Sequence, residues 1–256
     1  GPHPGAGCRV SVTESSQFAS ALILGQHTGG WQIEVTGANE DELPYVDMTR
    51  RLVAEFPWNG GDCIIEPDAS GASYFWGADW LLRESGSRVK VTPEPHSGLQ
   101  ADQNFRTLIV EQPWKASYSR ATELADSIMT AIVLAPFAPQ PTTFTHLGRL
   151  RVQECERVAA LRTELTKCGA SVMESGDTLT VNPGPLHGAE IATYNDHRMA
   201  MCFAMLGLRV PDIRLQNPGC VRKTFPNFFA KLAALGAIVT DAATGDPLAG
   251  AGLLAD

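Results

Sequence analysis

The sequence predicts an α/β protein built from repeated strand–helix units, with the most apolar helices innermost. Three observations lead to this prediction. Nearly uninterrupted apolar stretches begin with Ser or Asp, amphipathic stretches lie between them, and short alternating segments separate the two kinds. The apolar stretches recur at a period of about 55 to 70 residues, longer than the roughly 20–50 residues of solenoid repeats. The same alternation also occurs in α/β proteins without any repeat.

Each apolar stretch is predicted to be a buried helix with a capped N-terminus. The four stretches are "TESSQFASALIL" from 13, "DASGASYFWGADWLL" from 68, "LADSIMTAIVLAPFA" from 124 and "TYNDHRMAMCFAMLGL" from 193. Their cap-region residues are Ser15, Ser70, Asp126 and Asp196. Side chains of this type accept a backbone N–H of the first helical turn. If the helices run parallel, several positive N-terminal ends converge on one cleft, which suits a ligand with more than one anionic group.

The remaining elements are amphipathic helices and short strands. The predicted amphipathic helices are 44–56, 99–112, 153–169 and 224–237. The predicted strands are 31–37, 178–183 and 213–218. Gly169 is expected to end the third of these helices.

Composition excludes several classes of protein. The net charge of −8 argues against a nucleic-acid partner, which needs clustered positive charge. The longest apolar runs are shorter than the roughly 20 residues that span a bilayer, so we expect no membrane partner. The six cysteines lack a C-x-x-C pair and the six histidines lack metal-ligand spacing. We therefore expect a reduced, cytoplasmic protein with no metal site, in which residues 1–7 are linker or vector-derived.

Arg198 is the candidate binding residue that is hardest to explain structurally. A guanidinium in the first turn of an apolar helix opposes the helix dipole and lies near the core. We expect an anion to offset it. The other candidates each have a structural alternative: Ser15, Ser16, Asp126 and Asp196 as caps, His197 as a core histidine, Glu154 and Arg157 as a surface ion pair on one helix face, and Lys223 as part of a solvated basic turn.

Five segments, taken in order, resemble the EPSP synthase family of enolpyruvyl transferases. They are "SSQF", "DASGASYF", "RVQECERV", "NDHRMAMCF" and "KTFP", and the resemblance runs from about Val10 to Ala237. UDP-N-acetylglucosamine enolpyruvyl transferase shares the family fold but lacks the Ser-Ser-Gln signature, so it ranks second. The resemblance implies two domains of repeated βαβαββ units, arranged as an inverse α/β prism around a cleft.

The resemblance also implies an activity. The family transfers the enolpyruvyl group of phosphoenolpyruvate to the 5-hydroxyl of shikimate 3-phosphate, through an intermediate that is not attached to the protein and without metal or organic cofactor. The implied catalytic residues are Asp126, Glu154 and His197. The implied substrate-binding residues are Ser15, Ser16, Gln17, Tyr45, Gln153, Arg157, Asp196, Arg198 and Lys223.

Three departures from the family pattern affect these expectations. A long N-terminal segment of the family has no counterpart, so we expect an incomplete two-domain fold: 8–60 as the remaining unit of the N-terminal domain, 61–240 as the C-terminal domain and 241–256 as a tail. A family Lys is Gln153 here, and the Ser expected shortly before Tyr45 is Glu42 or Leu43.

Three interpretations of the shortened sequence stay open. The chain is a fragment of the enzyme, or half of a split enzyme whose missing N-terminal segment binds in trans, or a truncated relative that binds anions without catalysis.

Overall fold

The computed structural model describes residues 3, 5–37, 39 and 42–255. The chain divides into two compact units, Gly1–Pro67 with Pro95–Ala101 and Asp68–Glu94 with Asp102–Asp256. The α/β class expected from the sequence is confirmed, and the domain boundaries 8–60 and 61–240 stay predictions. Over the described residues, no helix combines the length and apolar character that crossing a lipid bilayer requires.

The first unit is a strand–helix–strand–helix arrangement. Its elements are β1 (Gly7–Ser11), α1 (Ser16–Gly29), β2 (Gln32–Thr36) and α2 (Leu43–Glu55). Strands β1 and β2 pair in parallel, with Val10 opposite Val35. The small core of this unit centres on Val12, Ala19, Ile23 and Val46.

Helix α1 begins as predicted but is not fully buried. Ser15 is the N-cap and accepts the Gln17 N–H, and Gly30 ends the helix in the left-handed conformation. Phe18 and Leu24, however, are more than half exposed. Within the described part of this unit, β1, β2 and α2 cover only one face of α1, so the prediction of a wholly buried helix is wrong here.

Glu66 joins two separate stretches of the first unit. Its carboxylate accepts the backbone N–H groups of His96 and Ser97 at 2.8 and 2.9 Å and the side-chain amide of Gln100 at 2.8 Å. Burial acts to raise the pKa of Glu66, but these hydrogen bonds outweigh it and lower the pKa to about 2. The segment Pro95–Ala101 is thereby fixed to the end of the stretch that finishes at Pro67.

The second unit is organised around three buried helices, as the apolar stretches predict. These are α3 (Ala69–Leu82), α4 (Ile128–Leu134) and α6 (His197–Leu206). Every residue of α4 is buried, and so are nearly all residues of α3 and α6. Helix α3 is capped by Asp68 rather than Ser70, because the Asp68 carboxylate accepts the N–H groups of Ser70 and Gly71.

One sheet and several short elements cover these helices. The sheet has the order β3 (Ser117–Ser119), β4 (Thr142–Thr145), β6 (Thr178–Asn182) and β5 (Ser171–Ser175), with β5 and β6 forming an antiparallel hairpin. The other elements are α5 (Arg157–Lys167), α7 (Phe228–Ala234) and the parallel pair β7 (Glu190–Ile191) and β8 (Arg214–Leu215).

Four predicted elements are shorter than the sequence pattern indicated. The helix expected over 99–112 is a 3₁₀ turn, Ala101–Gln103, followed by a π-helical segment, Arg106–Glu111, and the Asp102 carboxylate in the turn accepts the Ser127 N–H, 25 residues away. Helix α5 begins at Arg157 because Glu156 caps it, and α7 begins after Pro226, which disfavours helix in the preceding residue. The strand expected over 213–218 retains only the two residues of β8. Gly169 does end α5, with φ of 91°.

Candidate active site

The turn before α6 holds the Asp-His-Arg sequence in a strained backbone. Tyr194 and Asn195 both have φ of 55°, a left-handed conformation that is uncommon outside glycine. This turn places Asp196 as the N-cap, where its Oδ1 accepts the Arg198 N–H at 2.8 Å. The cap predicted for Asp196 is therefore present, and its second oxygen is left for another partner.

That partner is Arg157, which is only 1% exposed. Its Nε donates to Asp196 Oδ2 at 2.7 Å and its Nη2 donates to Glu154 Oε2 at 2.6 Å. Its Nη1 donates to the side-chain oxygen of Gln153. Glu154 precedes α5, so the alternative of a solvated ion pair on a helix face is wrong: the guanidinium is enclosed by acceptors.

Lys223 extends this cluster to the surface. It lies at the end of the 3₁₀ segment Pro218–Lys223, and its Nζ donates to Glu154 Oε1 at 2.6 Å. Burial acts to raise the pKa of Glu154, but the hydrogen bond from Lys223 and the charge of Arg157 hold the pKa below its ordinary value. Hydrogen bonds thus run without interruption from Lys223 through Glu154, Arg157 and Asp196 to the first turn of α6.

Arg198 has the anionic neighbour that its position required. Its Nη2 lies 3.4 Å from Asp126 Oδ2 and donates to Ser70 Oγ at 3.2 Å. The other Asp126 oxygen accepts from Arg120 Nη2 at 2.8 Å. Burial acts to raise the pKa of Asp126, but Arg198 and Arg120 lower it to about 2. Asp126 is therefore ionised between two guanidinium groups, and its side chain is not a helix cap.

The N-terminal ends of α3 and α4 meet at Asp102, and α6 is linked to them through Arg198. This buried carboxylate accepts the Ser127 N–H at 2.7 Å and the Ser70 hydroxyl at 2.9 Å, and Ser70 in turn accepts from Arg198. Burial raises the pKa of Asp102, although the Arg198 charge opposes this. Helix starts that are distant in sequence thus converge as expected. Sequence reasoning missed both Asp102 and Arg120, whose segments carry no motif that marks them.

His197 is buried next to this cluster. It is 4% exposed, and its Nδ1 lies 4.0 Å from Asp196 Oδ1 without a hydrogen-bond partner. Burial and the charge of Arg198 lower its pKa to about 4, although Asp196 acts in the opposite direction. The imidazole is therefore neutral at pH 7.

The four remaining predicted residues lie in the first unit. Ser15 caps α1 and Gln17 is exposed in its first turn. The Ser16 N–H donates to Glu42 Oε2 at 2.5 Å. Tyr45 is half-buried in the first turn of α2, where its carbonyl accepts the Thr49 hydroxyl. The substrate roles expected for these residues stay predictions.

Comparison with known proteins decides the family. A family model described as EPSP synthase (3-phosphoshikimate 1-carboxyvinyltransferase) matches residues 54–232, which is more than half of the chain. The chain belongs to the EPSP synthase family. A 3-phosphoshikimate 1-carboxyvinyltransferase of Laribacter hongkongensis is 35% identical, over 91% of this chain and 63% of that protein. The Nostoc punctiforme protein of the same name is 32% identical, over 87% of this chain and 60% of that protein.

A solved structure shares the EPSP synthase fold. The EPSP synthase from Acinetobacter baumannii superimposes with a TM-score of 0.60 at 17% identity, over 90% of this chain and 63% of that chain. The chain thus spans about three fifths of the length of the EPSP synthase relatives it matches. Among the described residues, no group of three or more His, Cys, Asp or Glu side chains is placed to hold a metal ion.

Proposed function

We propose that this chain contributes to enolpyruvyl transfer from phosphoenolpyruvate to the 5-hydroxyl of shikimate 3-phosphate. The observation that carries the proposal is the run of hydrogen bonds from Lys223 through Glu154, Arg157 and Asp196 to the backbone N–H of Arg198, which links cationic residues of three separate segments through two carboxylates. Phosphoenolpyruvate has a phosphate and a carboxylate, and cations beside it offset charge that would otherwise repel a second anionic substrate.

Lys223 and Arg198 are the proposed contacts to phosphoenolpyruvate. Lys223 is 60% exposed at one end of the cluster and Arg198 lies at the helix start at the other. Arg157 is enclosed, so an anion reaches its Nη2 only by displacing Glu154. We therefore assign Arg157 to the cations that bind phosphoenolpyruvate, provided that Glu154 is displaced. Asp196 and His197 shape the first turn of α6. Gln153 is a neutral hydrogen-bond partner where the family has a cation.

The proposed chemistry uses two carboxylates. The 5-hydroxyl oxygen bonds to C2 of phosphoenolpyruvate, and its proton passes to Asp126 and from there to solvent. Glu154, which has first taken a proton from solvent, delivers it to C3. The bond from C2 to the phosphate oxygen then breaks, phosphate leaves, and the C3 proton returns to Glu154, which yields the enolpyruvyl ether. Two groups are needed because one proton leaves oxygen while another is added to and removed from carbon.

Binding of phosphoenolpyruvate would itself raise the pKa of Glu154 and that of Asp126. Lys223 and Arg157 hold the pKa of Glu154 down, and Arg198 with Arg120 holds down that of Asp126. An anion that draws Lys223 and Arg198 toward itself removes part of this stabilisation and raises both pKa values. Glu154 then accepts a proton more readily, and Asp126 becomes a stronger base.

The acceptor site of this proposal includes Ser15, Ser16, Gln17 and Tyr45. The segment corresponding to the remaining two fifths of the relatives' length is the proposed partner, supplied in trans or as part of a longer chain. Cytoplasmic location belongs to the proposal as well.

Phosphate release in the presence of both substrates tests the proposal. We expect little release from the 256-residue chain alone and a rise of orders of magnitude when the N-terminal segment of a family member is added. Asp126→Asn should remove most of that gain. Binding of phosphoenolpyruvate without transfer under either condition would favour the anion-binding relative over the enzyme.

A matched pair of lysine variants tests the cation cluster separately. Lys223→Ala should weaken phosphoenolpyruvate binding roughly 10- to 100-fold, the effect of one charge-assisted hydrogen bond. Lys231→Ala removes the same charge from an exposed position on neighbouring α7 and should leave binding unchanged. Equal effects of the two variants, measured by calorimetry, would refute the assignment of Lys223.

A further inference from the structure

The N-terminus of α1 is already occupied by an anionic side chain of this protein. Glu42 Oε2 accepts the Ser16 N–H at 2.5 Å, and the Glu42 residue is only 3% exposed. The next amide of the turn, that of Gln17, donates to Ser15 Oγ at 3.2 Å. Two of the amide groups that a phosphate would use at a helix N-terminus are therefore bonded internally.

The direction of the Glu42 side chain makes this contact specific. Glu42 is the N-cap residue of α2, but its carboxylate makes no capping bond to α2. It reaches α1 instead, which lies 26 residues earlier in the sequence. The backbone of Glu42 is held at both ends, because its N–H donates to the Asn39 carbonyl and its carbonyl accepts the Tyr45 N–H. A second link, between the Ser20 and Thr49 hydroxyls at 2.8 Å, ties the two helices together further along.

We propose that Glu42 is a specificity-determining residue, whose carboxylate competes with the acceptor's phosphate for the N-terminus of α1. The inference rests on the proposed function, in which Ser15, Ser16 and Gln17 receive a phosphorylated acceptor. A carboxylate and a phosphate cannot both take the Ser16 amide, and two anions in a buried setting repel each other strongly.

The consequence is a weakened preference for a phosphorylated acceptor. A phosphate must displace the Glu42 carboxylate and remain near it, whereas a hydroxyl in the same place can donate a hydrogen bond to that carboxylate. Glu42 therefore disfavours shikimate 3-phosphate without disfavouring shikimate. The ratio of the two affinities, rather than either affinity alone, measures the effect.

Two substitutions at Glu42 separate charge from shape. Glu42→Gln keeps the length of the side chain and an acceptor oxygen but removes the charge. Glu42→Ser also clears the space and leaves the residue type expected at this point from the family pattern. Glu55→Ser is the matched control, because Glu55 is exposed at the opposite end of the same helix and its loss changes the net charge equally.

The experiment titrates the full chain and each variant with shikimate 3-phosphate and, separately, with shikimate. Affinities come from the amide signals of Ser16 and Gln17 in ¹H–¹⁵N NMR spectra. We expect Glu42→Ser to shift the affinity ratio toward shikimate 3-phosphate by about tenfold or more, the scale of removing a close like charge. Glu42→Gln should shift it in the same direction, and Glu55→Ser should leave it unchanged.

Three results would overturn the proposal. One is an unchanged ratio in both Glu42 variants although the Ser16 signal moves, which proves that the contact was broken. Another is an equal shift in Glu55→Ser. The third is the failure of either ligand to perturb the Ser16 and Gln17 signals in every protein. Circular dichroism checks folding, and the near-isosteric Glu42→Gln provides the answer if Glu42→Ser does not fold.

The outcome is distinguishable from failure of the proposed function. Selectivity at α1 is measured without phosphoenolpyruvate and without turnover. A changed ratio in a chain that releases no phosphate even when the N-terminal segment of a family member is added would uphold the role of Glu42 while refuting enolpyruvyl transfer. Phosphate release with an unchanged ratio would do the reverse.

Discussion

Replacing Arg157 by Met tests the buried charge cluster, because Met fills much of the same volume and removes every N–H donor. The Arg157 and Asp196 side chains are 1% and 0% exposed, and Arg157 donates to Asp196 at 2.7 and 3.3 Å and to Glu154 at 2.6 Å. Removing one partner of a buried ion pair costs about 3–5 kcal/mol, because the other charge stays buried. We expect the free energy of unfolding to fall by that amount at pH 7.

The loss should depend on pH in a defined direction. Burial acts to raise the pKa of Asp196, but the hydrogen bond and charge of Arg157 outweigh it and lower the pKa. A carboxyl with a lowered folded-state pKa adds stability above its unfolded pKa of about 3.9, and this stability is lost as the pH falls through the folded value. In Arg157→Met the burial effect dominates, so the destabilisation should be larger at pH 7 than at pH 4.

Urea denaturation at several pH values measures both effects. Trp76, Trp80 and Trp114 lie in the second unit and report its unfolding by fluorescence. Arg162→Met is the control, because Arg162 is on the same helix but 47% exposed and pairs with Glu174 at 3.3 Å, which is worth about 1 kcal/mol or less. If Arg157→Met costs no more than Arg162→Met, the buried-pair reasoning is wrong.

Three further predictions concern other ionisable groups. Arg198→Ala should weaken phosphoenolpyruvate binding by about 2–5 kcal/mol in calorimetry, and should also lower the melting temperature, because Asp126 keeps only one of its two guanidinium neighbours. NMR titration of His197 should give a pKa of about 4. Because this value lies below the unfolded pKa of about 6.5, the stability contributed by the neutral imidazole should be complete above pH 6.5 and fall on acidification. His197→Gln should remove that part of the pH dependence of the free energy of unfolding. Glu66→Gln should increase proteolytic cleavage within 95–101 at neutral pH, because the carboxylate that accepts two backbone amides there becomes neutral; unchanged cleavage would contradict this role.

Local signals in the sequence were sufficient to predict two of the four helix caps. Ser15 and Asp196 cap their helices as expected, since a cap depends only on residues two or three positions away. The apolar runs predicted the burial of α3, α4 and α6. Arg198 could be assigned an anionic neighbour from dipole and burial arguments alone, although not which one.

Contacts between distant parts of the sequence could not be predicted in the same way. Arg198 meets Ser70 across 128 residues, and Asp102 meets Ser127 across 25. Hydrophobic periodicity carries no information about such pairs, so the sequence did not identify Asp102 and Arg120 as residues of the site. The amphipathic pattern at 99–112 correctly indicated buried positions, because Phe105 and Ile109 lie in the core. The structure nevertheless has a 3₁₀ turn and a π-helical segment there, and Asp102 of the turn bonds to Ser127 outside the segment.

The bonds of Glu66 to Pro95–Ala101 affect how this protein can be divided or recombined. A crossover placed at residue 67, where the first run of the first unit ends, would inherit the carboxylate from one parent and its amide partners from the other. The first unit is therefore not a contiguous module. Chimaeras between family members should exchange Glu66 and 95–101 together.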